Sequence, residues 1–356
     1  GDWIMKVDTS YISKKYETYL LQGTKAVKLT LGEWKEVEIE DEEDGNEGGD
    51  GEDEGPTMEY RVVPIDEPVE MPAAQIVEDN PVHKYEIIES PVKKIRVGYL
   101  MYNSFTAGTK AEPEKYNNEL RSVSQKFKEA GVQAVILDLR YNEGGSMDCV
   151  QLLGTILTSA DRLGEPMAYL EYNDKNTDKD ATILFGTDRE INLNLHSLIA
   201  ITSGTTMGAP EMLIRSLFLE DTYPIATVGS STKGQNVATE QFINEEFLWS
   251  VNPVVCTVYN SQHDTYGAIS PATDLKVSET TIDGSTNYSE FLPFGTFDKD
   301  GKSERLLKIA IGVLDGTYPP KDDETPEEST PQTRFKVEKS VSSPASRRFS
   351  SKGLRL

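Results

Sequence analysis

The chain predicts an α/β layer fold preceded by a smaller β-rich region. Three observations carry this. From Ile95 onward strand-like and helix-like patterns alternate, the order that lays helices on the faces of a sheet. Ala134-Val-Ile-Leu-Asp-Leu139 is a nearly unbroken apolar run, the mark of a strand covered on both faces. Leu198 to Thr202 is a second such run, followed by a turn and an apolar helix opening near Gly208. A length of 356 residues allows a sizeable core and two domains with tails.

In chain order, Ile4, Met5 and Val7 suit a strand. Ser10 to Leu21 suits a short helix with Tyr16, Tyr19 and Leu20 inward, ended by Gly23. Ala26 to Leu31 alternates like a strand. The run Gly-Asp-Trp-Ile-x-x-Val-Asp from Gly1, a helix, then Val27-Lys-Leu-Thr-Leu-Gly32 resembles the second half of a PDZ domain. That resemblance implies a partial PDZ-like domain over residues 1–75, which docks a peptide C terminus by strand addition. Its carboxylate-binding loop and first strands would lie upstream of Gly1.

Residues 38–54 hold eleven acids. Their charges repel and they have little to bury, so they read as a solvated insertion. The acids lack the ordered spacing of a calcium loop. Glu59 to Val63 looks extended again. Pro64, Pro68, Pro72 and Pro81 punctuate the next stretch, and residues 76–94 read as an extended connector.

The core is expected over residues 95–318. Arg96 to Met101 is a strand. Glu114 to Ala130 is an amphipathic helix with Tyr116, Leu120, Val123 and Phe127 on one face, closed by Gly131. Ser146 to Ser159 is the next helix. Further strands are expected at Met167 to Glu171, Thr182 to Phe185, Ile225 to Gly229 and Val254 to Tyr259. Ser303 to Leu314 is a last amphipathic helix. Residues 319–356 are rich in Pro, Ser, Thr and charge and read as a disordered tail.

The net charge of −24 argues against a nucleic-acid partner. Cys149 and Cys256 make no disulfide framework and read as buried thiols. His83, His196 and His263 lack metal-ligand spacing, so no metal is expected, and no cofactor. No run of about 18 apolar residues predicts a spanning segment.

Three short motifs carry the chemistry. Leu137-Asp-Leu-Arg-Tyr-Asn-Glu-Gly-Gly145 follows a buried strand, and its glycine pair lets backbone amides approach a ligand oxygen. Thr206-Met-Gly-Ala-Pro-Glu211 is a strand-to-helix elbow. Pro210 and Glu211 suit a first helical turn, and such an elbow presents one side chain beside free amides. Gly229-Ser-Ser-Thr-Lys-Gly-Gln-Asn-Val237 is the third. Together they resemble the tail-specific (C-terminal processing) serine peptidase family, in a Bacteroidetes-like form. There the motifs run Asp-Leu-Arg-x-Asn-x-Gly-Gly, Thr-Ala-Ser-Ala-Ser-Glu and Gly-x-x-Thr-x-Gly-Lys-Asn-Val. Asn80-Pro81-Val82 and Gly267 to Pro271 are similar to flanking family segments.

The resemblance implies a crotonase/Clp-protease-like core with a mixed sheet, and an oxyanion hole from Gly144, Gly145 and Ala209. It places Gly208 at the nucleophile position and Gln235 at the base position. Amide attack needs a nucleophile and a group to take its proton. Gly208 offers no side chain and Gln235 only a neutral amide. The expectation is a member that binds peptides or unfolded protein C termini without cleaving them. One alternative is an active endopeptidase with a relocated Thr206–Lys233 pair, two residues earlier on the same strand face. That shift spans about 6.5 Å, whereas misplacement by about 1 Å already costs catalysis heavily. Another is an architectural subunit that scaffolds an active paralogue. Asp138 and Arg140 read as a structural ion pair. The resemblance further implies a bacterial envelope location, periplasmic or outer-membrane-anchored, with a lipid anchor upstream.

Overall fold

The computed structural model describes residues 3–12, 24–39, 57–75, 78–277, 281–282, 285–286, 292–297, 303–318 and 353–356. The acidic insertion, most of the first expected helix and most of the tail lie outside the described residues. The chain divides into two compact units, the first taking in residues up to Glu78 and the second beginning at Asp79.

The first unit is an antiparallel sheet of β1 (Trp3–Val7), β2 (Ser10–Tyr11), β3 (Val27–Ile39), β4 (Thr57–Pro64) and β5 (Val69–Met71). Ser10 and Tyr11, expected to open a helix, instead pair with Val7 and Lys6. The two-residue link Asp8-Thr9, with Asp8 at φ 52°, turns the chain back too tightly for a helix to start.

The second unit holds two larger sheets. In the first, β6 (Val82–Glu89), β7 (Arg96–Tyr102), β8 (Ala134–Asp138), β12 (Leu198–Thr202) and β13 (Ile225–Gly229) lie in the order β13-β12-β8-β7-β6. All neighbours are parallel except β6, an antiparallel edge. The segment read as a connector is therefore extended, and much of it is paired into this sheet. Period-2 alternation sorts the strands onto two cores. Leu100, Tyr102, Leu137 and Ala200 pack with α1 (Lys115–Glu129), α2 (Met147–Leu157) and α3 (Ala209–Leu217). Tyr99, Met101, Ile136 and Ile201 pack with α4 (Arg305–Asp315). Burial on both faces explains the apolar runs in β8 and β12.

The other sheet joins β9 (Gly144–Ser146), β10 (Pro166–Tyr172), β11 (Ala181–Leu184), β14 (Val237–Thr239), β17 (Val254–Tyr259) and a tail strand (Gly353–Arg355), ordered β11-β10-β17-β14-tail-β9. Between β14 and β17, the chain makes an exposed hairpin of β15 (Phe242–Asn244) and β16 (Trp249–Val251). The whole second unit is a mixed α/β arrangement, as the sequence predicted. The tail is the main departure. Expected to be disordered throughout, it ends in a paired strand with Leu354 only 1% exposed. Two strand edges and an apolar seat offset the entropy of ordering those few residues.

Candidate active site

The elbow between β12 and α3 is fastened to the loop after β8. Thr206 Oγ1 donates to the Leu139 carbonyl at 2.9 Å and accepts from the Ser203 N–H at 3.0 Å. Thr205 Oγ1 donates to the Arg140 carbonyl at 2.7 Å, and the Met207 N–H to the Asn142 carbonyl at 3.1 Å. Gly208 then turns the chain into α3 at φ 70°, ψ −102°, where a side chain is disfavoured.

Glu211, in the first turn of α3, is fully buried. Its carboxylate accepts from the Gly208 N–H at 2.9 Å and the Gln235 N–H at 2.8 Å, and from the Gly234 N–H and the Thr232 hydroxyl. Four donors compensate the desolvated charge. They also tie the elbow at Gly208 to the 232–235 loop. Local pattern assigns Glu211 only a helix-end role; three of its donors come from residues more than twenty positions away, which no local pattern encodes.

Among the amides expected to form an oxyanion hole, Gly144 is engaged elsewhere. Its N–H donates to Asn142 Oδ1 at 3.0 Å, while Asn142 Nδ2 reaches the Tyr102 carbonyl at 2.8 Å. An Asn side chain readily bonds the amide two residues on. Gly145 is aligned with Leu354 of the tail strand. Ala209 is the first residue of α3, where geometry supplies no intrahelical acceptor for an N–H.

The relocated pair is brought together only through main chain. The Lys233 N–H donates to the Thr206 carbonyl at 3.1 Å, and Lys233 itself is exposed. The Thr206 hydroxyl is buried against Leu139 instead. Burial pushes the Cys149 thiol up to about 12 and the Cys256 thiol up to about 11, so both favour the protonated thiol over the nucleophilic thiolate at neutral pH. Among the described residues no group of His, Cys, Asp and Glu could hold a metal.

Asp138 and Arg140 form the structural pair that the sequence suggested, with a third member it did not. Arg140, fully buried, meets Asp138 at 2.7 Å and Glu304 at 2.9 Å. Burial opposes its charge, but the two carboxylates outweigh it and hold its pKa above the ordinary value. Glu304 also caps α4 through the Leu306 and Leu307 amides.

The tail strand crosses this site. It runs parallel to both β9 and β14, with Gly353 opposite Gly144 and Leu354 opposite Ala238. The Gly353 N–H donates to the Glu143 carbonyl at 2.6 Å, and the Leu356 N–H to the Thr239 carbonyl at 3.1 Å. A Cβ on Gly208 would lie 2.6 Å from Gly353 Cα and from the Leu354 nitrogen, and 2.7 Å from the Gly353 carbonyl carbon. A Cβ on Gly144 would overlap the Gly353 carbonyl oxygen. Position 208 thus faces one peptide bond of the tail strand, Gly353–Leu354.

Residues 96–252 match the model of peptidase family S41. None of the curated proteins matches the chain. Among solved structures, it is similar to a Bacteroides fragilis protein assigned to the S41 proteases: 35% identity, TM-score 0.71, covering 89% of this chain and 73% of the other. A photosystem II D1 C-terminal processing protease is similar at 15% identity and TM-score 0.42, covering 78% of this chain and 63% of the other. A Parabacteroides merdae protein assigned to the peptidases follows at 18% identity and TM-score 0.41, covering 65% and 66%.

Proposed function

Because the chain belongs to peptidase family S41, we propose that it is a member that binds peptides or protein C termini without cutting them. The observation that carries this is the pair of substitutions facing the bound strand. Gly208 presents no oxygen to the Gly353–Leu354 bond, and Gln235 presents no base. Loss of nucleophile and base together costs a serine peptidase about 10⁶-fold in turnover. The slot itself is intact: backbone edges on two sides and an apolar seat, the elements of recognition by strand addition.

Quenched peptides and casein, offered to the wild type and to Lys233→Ala, test the reading. No turnover by either is expected. Turnover that the Lys233→Ala change abolishes would establish the relocated Thr206–Lys233 pair instead. The β-rich first unit, by its resemblance to half a PDZ domain, is a second place for a peptide terminus.

An architectural role beside an active paralogue draws support from one feature. The β15–β16 hairpin exposes Phe242, Ile243, Phe247 and Trp249, with Leu248 91% exposed, and apolar surface of that kind marks contact sites. An envelope location with an upstream lipid anchor is proposed on the family resemblance. Among the described residues no helix is long and apolar enough to cross a membrane.

A further inference from the structure

We propose that the chain's own segment Gly353-Leu354-Arg355-Leu356 is the resident ligand of the slot, and that the slot selects glycine followed by leucine. The proposal rests on the peptide-binding reading above and adds the identity of the occupant. Without the tail, the slot between β9 and β14 is one strand wide, open along both edges. The tail fills it with backbone bonds on both sides.

Selection arises at two adjacent positions. Gly353 lies at φ 99°, in the left-handed region that favours glycine. A Cβ there would overlap Gln235 Oε1. That oxygen is buried and has no hydrogen-bond partner among the described residues, and a buried acceptor tolerates an apolar Cβ poorly, so any side chain at 353 would have to push Gln235 aside. Leu354 is the buried anchor. Its neighbours Arg355 and Leu356 are more exposed and contribute mainly main-chain pairing. The substitution at the base position thereby acquires a role: the side chain that no longer takes a proton reads the ligand.

A ligand on the same chain competes at an effective concentration on the order of millimolar. A free peptide of equal chemistry is therefore masked until the tail leaves.

The probe is a fluorescein-labelled hexapeptide copying residues 351–356, titrated by anisotropy into the wild type, the chain lacking residues 353–356, and full-length Leu354→Asp. Circular dichroism checks that each is folded. Both altered chains are expected to bind at least ten-fold tighter than the wild type. The probe with valine in place of the glycine is expected to bind them at least ten-fold more weakly than the native probe. Equal binding by wild type and both altered chains, or indifference to the valine, overturns the proposal. A parallel array of unrelated extended peptides separates the two readings. Array binding with no preference for Gly-Leu removes this inference alone. No binding to any peptide by folded altered chains removes peptide recognition as well.

Discussion

Four donors converge on the Glu211 carboxylate, one from the elbow and three from the 232–235 loop. Each oxygen serves two of them. Glu211→Gln keeps the shape and one accepting oxygen, but sets an NH₂ group against two of the donors. Glu211→Ala strands all four. Unsatisfied buried donors cost about 1–3 kcal/mol each before relaxation, and breaking a buried charged arrangement costs about 3–5 kcal/mol. Urea unfolding is expected to show a loss of about 2 kcal/mol for Glu211→Gln and a larger one for Glu211→Ala. A loss under about 0.5 kcal/mol for the alanine variant would mean that the carboxylate does not hold the two loops together.

Among elements, α4 is held at both ends by acids that accept backbone amides. Glu304 caps its start, and at its end Asp315 accepts the Val92 and Lys93 N–H groups, each at 3.0 Å. Burial works against the Asp315 charge, yet these bonds outweigh it and hold its carboxyl below the usual value. A depressed native pKa contributes stability that is present above the unfolded value of about 3.9 and is lost as pH falls through the native one. The gap in urea midpoint between the wild type and Asp315→Asn should accordingly be present at pH 7 and close in strong acid. A gap that persists below both pKa values would assign the effect to packing. Elements of this length were legible from sequence. β12, β13 and β17 were read with their observed bounds, and α1, α2 and α4 within a few residues, because burial on one or two faces leaves a period or an apolar run. β9, β14 and the tail strand were not legible. Three residues carry no period, and their partners lie far away in sequence. The elbow at 206–211 and the loop at 229–237 were legible as motifs, but their contacts were not: nothing local announces that three donors of the 232–235 loop converge on Glu211, or that residue 353 returns to residue 208.

On the scale of the whole molecule, Gly208, Gln235 and the tail form one system, in which both positions lie against Gly353. A side chain at 208 and the docked strand exclude each other, since a Cβ there would sit 2.6 Å from two tail backbone atoms. Changing Gly208→Ser with Gln235→Lys in the full chain therefore sets the new hydroxyl against the tail, in addition to about 1–3 kcal/mol of strain for a side chain on a backbone that glycine alone adopts readily. The same double change in a chain lacking residues 353–356 meets an open slot. A strained strand-to-helix turn of this kind can expose a nucleophile, Ala209 opens a helix beside it, and Glu211 joins the two loops that carry the changed positions. Peptide hydrolysis is expected from the shortened double variant, and at least ten-fold less from the full-length one. Hydrolysis equal in both would show that the tail does not guard the site. None from a folded, shortened variant would show that a serine at 208 and a lysine at 235, with the amides around Gly145 and Ala209, do not make a working site.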